Sequence, residues 1–191
     1  MSATGFLGAL RSFIRPDLVV DGALDLFEDD AGSTLPALRL KKHGRPLLIR
    51  PDLCGRRPGQ VAANDRLFPL VKLDGGLARH CDYVIAHAAD EAHEAVLFLL
   101  FIELKSGAAN DARLQIENTR LLIDGLVAAA QHHGRAHPPT IVRRGVTFAG
   151  KARTPKGRRC PYDVNPRMRD LPCATIAPFE HHLDYFCHQE M

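Results

Sequence analysis

The stretch AVLFLLFIELKSG, Ala95–Gly107, decides how the chain is read. Its apolar run, Ala95–Ile102, is unbroken and leads directly into Glu103, Leu104 and Lys105. A run of this length between polar turns predicts a strand covered on both faces, with a buried helix as the alternative that pattern alone leaves open. On a strand, side chains alternate between faces, so Glu103 and Lys105 point the same way and Leu104 points into the opposite layer. A charge drawn toward a core is costly unless something pairs with it. The neighbouring segments are therefore where the partners of Glu103 and Lys105 should be sought.

Just upstream, DYVIAHA (Asp82–Ala88) reads as a second strand, and ADEAHE as a polar connection short enough for an antiparallel hairpin. Downstream, SGAAND is a break with Asn110 or Asp111 as a natural helix N-cap. A helix is predicted from about Ala112 to Gln131. Arg113, Glu117, Arg120 and Asp124 recur on it at three- and four-residue steps with opposite signs paired, which marks a solvated face. Leu114, Leu121, Leu122, Leu126 and Ala129 form the expected core stripe, with Gln115 close beside it. TIVRRGVTF (Thr140–Phe148) is a further strand. The order strand, strand, helix, strand describes an α/β core with a mixed central β-sheet flanked by helices.

The flanks are less patterned. The first thirty or so residues read as one or two short helices ending in FEDD, Phe27–Asp30. ALRLKKHGRPLLIRPD reads as two short strands about a His43–Gly44 turn. The tail after Arg169 has room for a last strand and a short helix. At 191 residues, 46% hydrophobic and 25% charged, the chain fits a single globular domain over residues 1–191. Five scattered cysteines without a C-x-x-C pair suit free thiols in a reducing compartment. No apolar run approaches membrane-spanning length and no ordered signal peptide is present, which predicts a soluble cytoplasmic protein.

If the two central strands pair as a hairpin, Asp82 and Glu103 meet near its open end. Two adjacent carboxylates repel and tend to share a proton. A hard divalent cation changes that balance, since it takes oxygen ligands from one or two carboxylates, waters and substrate phosphate. Lys105, on the same face, is placed to orient or deprotonate an attacking water or to neutralise charge at phosphorus. Gln115 is placed to donate a hydrogen bond to a carboxylate or to substrate.

HCDYVI, then LFLLFIELKSG, then a helix opening ARLQIENT resembles the PD-(D/E)xK, or restriction-endonuclease-like, nuclease superfamily over Lys72–Phe148. The resemblance implies a restriction-endonuclease-like core and Mg2+- or Mn2+-dependent hydrolysis of phosphodiester bonds, most often in DNA. It implies Asp82 and Glu103 as metal ligands, the Leu104 peptide carbonyl as a further metal contact, Lys105 as catalytic lysine and Gln115 as the helix glutamine of several branches. Many members add an acid from an N-terminal helix, for which Glu28 is the best-placed residue. No proline precedes Asp82, where the motif's name would put one. The alternative is a non-catalytic nuclease-fold module that binds nucleic acid or a partner protein within a larger assembly.

Other constellations compete. Asp74 is a second choice for the first acid, but its DGG context reads as a turn. Cys160, Cys173, His181, His182, Cys187 and His188 are zinc-ligand types without the compact spacing of a zinc ribbon, and they read as packed thiols and surface histidines. His132, His133 and His137 read as an exposed helix end and loop. A net charge of +3 is mild, but the segment from Arg143 to Arg169 is nearly devoid of acids. Arg143, Arg144, Lys151, Arg153, Lys156, Arg158 and Arg159 are the candidates for tracking a phosphate backbone, with a solvated loop as the plainer reading. So little chain beyond the core points to a second copy or a partner protein for targeting, in a defence or repair setting.

Overall fold

A computed structural model describes residues 2–22, 24–28, 33, 35, 37–42, 44–51, 79–91, 94–106, 111–134, 139–150, 173–177 and 181–187. Helix α1 (Ala3–Ser12) starts at Ser2, whose hydroxyl caps the Gly5 N–H, and buries Ala3, Phe6, Leu7 and Leu10 at helical spacing. The second short helix expected nearby is only a 3-10 turn, Pro16–Leu18. It is followed by strands β1 (Val19–Val20) and β2 (Leu24–Leu26). β3 (Leu38–Lys41) and β4 (Leu47–Ile49) are the two strands expected around Gly44, which takes φ 72°. They do not pair with each other: β3 joins β2, and β4 joins β1.

The central hairpin is β5 (Tyr83–Glu91) and β6 (Glu94–Lys105). The strands extend through most of the expected polar connection, pairing antiparallel from Tyr83↔Ile102 to Glu91↔Glu94. Helix α2 (Ala112–Gly134) then crosses over to β7 (Thr140–Ala149), which runs parallel to β6. The tail supplies β8 (Cys173–Ile176), β9 (His181–His182) and helix α3 (Asp184–Cys187), one strand more than expected.

The main sheet has the order β1-β4-β5-β6-β7-β8, antiparallel up to β6 and parallel beyond it. A small sheet, β2-β3-β9, lies apart. β6 shows why a continuous apolar run is needed. Val96, Phe98, Leu100, Ile102 and Leu104 enter a core shared with the small sheet and α3. Leu97, Leu99 and Phe101 enter a second core under α1 and α2. The protein is thus a mixed α/β fold whose mixed central sheet is covered on both faces. Among the described residues no helix is long and apolar enough to cross a membrane.

Helix α2 departs from its expected facing. Ala112, Ile116, Thr119, Ile123, Val127 and Ala130 are its inward stripe, whereas Leu114 and Leu121 are exposed by 46% and 55%. Leu122 is buried and Leu126 and Ala129 are half-buried, so the expected stripe straddles the helix. The isoleucines and Val127 satisfy helical spacing as well as the leucines do, and the β-branched set packs on the sheet. His181 is likewise buried rather than at the surface, against Phe148, Tyr185 and Phe186.

Gly145 on β7 lets α2 approach. A Cβ there would lie 2.5 Å from Cys173 Sγ and 3.1 Å from Ile116 Cγ2. Gly145→Ala is expected to destabilise the fold by about 1–3 kcal/mol through overpacking. Urea denaturation of Gly145→Ala, and of Gly145→Ala with Cys173→Ala, checks this: the second change should restore part of the loss.

Candidate active site

Antiparallel register brings the two acids together. Tyr83 faces Ile102, so Asp82 falls opposite Glu103 one step beyond. The Asp82 N–H donates to Glu103 Oε2 at 3.2 Å, and the Leu104 N–H donates to Asp82 Oδ2 at 2.7 Å. Each carboxylate is thereby tied to the backbone of the other strand. Lys105 Nζ lies 2.5 Å from Glu103 Oε1, with Glu103 1% and Lys105 23% exposed at the side chain. Asp82, Glu103 and Lys105 form one cluster, with the lysine toward solvent. The Leu104 side chain goes into the opposite layer, as alternation requires.

The electrostatics follow from burial. Glu103 is pushed up to about 8, first because burial disfavours its charge and second because Asp82 lies beside it, with Lys105 pulling the other way. Burial opposes charge on Lys105 as well. Its pairing with Glu103, helped by Asp82 and Glu28, outweighs that and raises it above the usual lysine value. Lys105 is therefore held as an ammonium beside Glu103.

Helix α2 holds the segment that enters the site. Asn118 donates to the Arg79 carbonyl at 3.1 Å, Gln115 donates to the His80 carbonyl at 3.2 Å, and Thr119 Oγ1 accepts from the Cys81 N–H at 2.8 Å. Gln115 thus holds backbone two residues before Asp82 rather than donating to a carboxylate. Asn118 and Thr119 were missed in the sequence. Their one signal was polar character at positions that turn out to be 6% and 0% exposed.

A third missed residue is Tyr83. Its hydroxyl accepts from the Phe27 N–H and donates to the Phe27 carbonyl, at 3.1 and 2.9 Å, and the Arg50 guanidinium lies over its ring. That fixes the chain beside Glu28, whose Oε1 lies 3.5 Å from the Ser106 N–H and whose Oε2 accepts from Ser33. Glu28 does reach the site's edge, but from the end of β2 and not from a helix.

Other candidates fall elsewhere. Arg143 and Arg144 sit opposite Leu99 and Leu100, about 10–13 Å along the strand from Glu103. Arg143 pairs with Asp124 at 2.7 Å, and Arg144 donates to the Arg143 carbonyl. Lys151, Arg153, Lys156, Arg158 and Arg159 lie outside the described residues, as do Asp74, Cys160 and His188. Among the described residues no group of three or more His, Cys, Asp and Glu side chains is arranged to hold a metal. Two carboxylates remain, tied to each other's strands beside the Leu104 peptide. Such a donor set fits a hydrated Mg2+ or Mn2+, which usually keeps waters and takes one or two carboxylates, and does not fit an all-protein cage.

Fold and site together define a mixed α/β protein with a carboxylate pair and a lysine at the open end of its central hairpin. No family model matches the chain, and no curated protein or solved structure matches it significantly.

Two outcomes are expected. Glu103 holds a proton in the folded state that the unfolded chain releases from its ordinary value of 4.5 upward. Between that value and about 8 the folded state binds more protons, so stability falls as pH rises. Thermal unfolding without divalent cation should show this decline, flattened in Glu103→Gln, and Mn2+ should raise the midpoint most at the alkaline end. Thr119→Val leaves the buried Cys81 N–H without its acceptor, and urea denaturation should show a loss of about 1–3 kcal/mol.

Proposed function

We propose that the protein is a metal-dependent nuclease with a restriction-endonuclease-like core, hydrolysing phosphodiester bonds in DNA. The observation that supports this most is the register pairing of Asp82 with Glu103, with Lys105 bound to Glu103 on the same face. A buried Glu103 beside a half-buried Asp82 and an ammonium is a poor device for stability, since two acids are drawn out of water side by side. It is a suitable device for holding a cation and a phosphate together.

In this reading Asp82 and Glu103 hold Mg2+ or Mn2+, with the Leu104 carbonyl as the third protein oxygen. The cation, when bound, supplies charge neutralisation and Lewis acidity at the phosphate. Lys105 contributes a fixed positive charge to the oxygens that become more negative as phosphorus gains a fifth neighbour. Gln115, Asn118 and Thr119 act through the backbone, keeping Asp82 at the depth where it meets Glu103. Arg143 and Arg144 are engaged within the chain, which leaves Lys151, Arg153, Lys156, Arg158 and Arg159 as the candidates for backbone contacts to the nucleic acid.

Plasmid, linear duplex, single-stranded DNA and RNA should each be incubated with the protein in Mg2+, Mn2+ or EDTA. Cleavage of DNA is expected with either cation and none with EDTA. Glu103→Ala and Lys105→Ala should each lower the rate by roughly a hundredfold or more. If the wild type cuts nothing, or the variants cut as well as it does, the catalytic reading fails. Binding without cleavage would favour a nucleic-acid-binding module.

A further inference from the structure

We propose that the outer face of α2 is the contact surface of an antiparallel homodimer, a second copy of this chain being what covers it. The face is defined by Leu114 and Leu121, one heptad apart and both exposed, opposite the stripe that packs on the sheet. Two leucines in register on a solvent-facing helix are more apolar surface than the helix needs for its own packing.

Charge complementarity selects the occupant. Along one flank of this face run Arg113, Glu117, Arg120 and Asp124, with signs plus, minus, plus, minus. Reversed in direction, the same series reads minus, plus, minus, plus. A two-fold axis passing between Asn118 and Thr119 therefore sets Arg113 against the second copy's Asp124 and Glu117 against its Arg120. The same axis brings Leu114 to within two residues of the second copy's Leu121, and the reverse. That stagger is about 3 Å along the helix, so the leucines of the two copies interdigitate rather than meet head-on. A two-fold of this kind keeps the charged flanks on the same side of the contact, so the charges face each other.

Parallel pairing has none of this. Its two-fold runs along the helices and puts the charged flanks on opposite sides of the contact, so the charges do not meet. Within each copy the charges already form i,i+4 pairs, Arg113 with Glu117 at 3.1 Å and Arg120 with Asp124 at 2.9 Å. Those pairs hold the side chains in the alternating order that a second copy reads. They need not break, because a carboxylate accepts from more than one guanidinium, as Asp124 already does from Arg120 and Arg143.

Sedimentation velocity of the full chain over a concentration series tests this. The wild type should pass from monomer to dimer as concentration rises. Leu121→Asp should remain monomeric, with its far-UV circular dichroism unchanged. Glu117→Arg should weaken the dimer by at least about tenfold, and adding Arg120→Glu should recover most of that loss. A wild type that stays monomeric throughout overturns the proposal. So does a dimer indifferent to Leu121→Asp, or a charge swap that recovers nothing. None of these readouts depends on cleavage, so they stand or fall apart from the proposed activity.

Discussion

The register between β5 and β6 is the constraint on which the rest depends. A slip of one residue would turn Asp82 away from Glu103 and exchange the two cores across the sheet. Burial on both faces makes that slip prohibitive, because Val96, Phe98 and Leu100 fill one layer while Leu97, Leu99 and Phe101 fill the other. Hydrophobic packing along the strand thus fixes where two charges meet at its end. The reciprocal hydrogen bonds of Asp82 and Glu103 then lock that end of the ladder.

What the chain discloses as text depends on whether an interaction is periodic. β6 was legible because a strand covered on both faces needs an unbroken apolar run. The Asp82–Glu103 meeting followed from alternation and a short turn. The inward face of α2 was not legible, since Leu114, Ile116, Leu121, Leu122, Ile123, Leu126 and Val127 leave apolar residues nearly all around the helix. The roles of Asn118, Thr119 and Tyr83 were hidden for another reason. They bind backbone atoms far away in sequence, and backbone carries no residue code. Gln115 shows both sides: its approach to the site could be read, its partner could not.

Helix α2 emerges as a two-sided element. Its inner side carries β-branched packing and three polar residues that grip the approach to Asp82. Its outer side carries alternating charges and exposed leucines. Arg143 of β7 joins Arg120 at Asp124, so the helix is also stitched electrostatically to the strand that follows it. Any shift of α2 along its axis would be felt by the backbone leading into the carboxylate pair.

β6 has an antiparallel neighbour on one side and a parallel one on the other, and this has a kinetic consequence. The hairpin with β5 closes a short loop and needs only local contacts, so it forms early. Pairing with β7 must wait until α2 is formed and laid across the sheet, since a parallel partner requires a crossover. Asp82 and Glu103 are therefore brought together before the layer that excludes water from them is complete. During that interval water screens their repulsion, and the closing of α2 is the step that commits the chain to burying Glu103 beside Asp82.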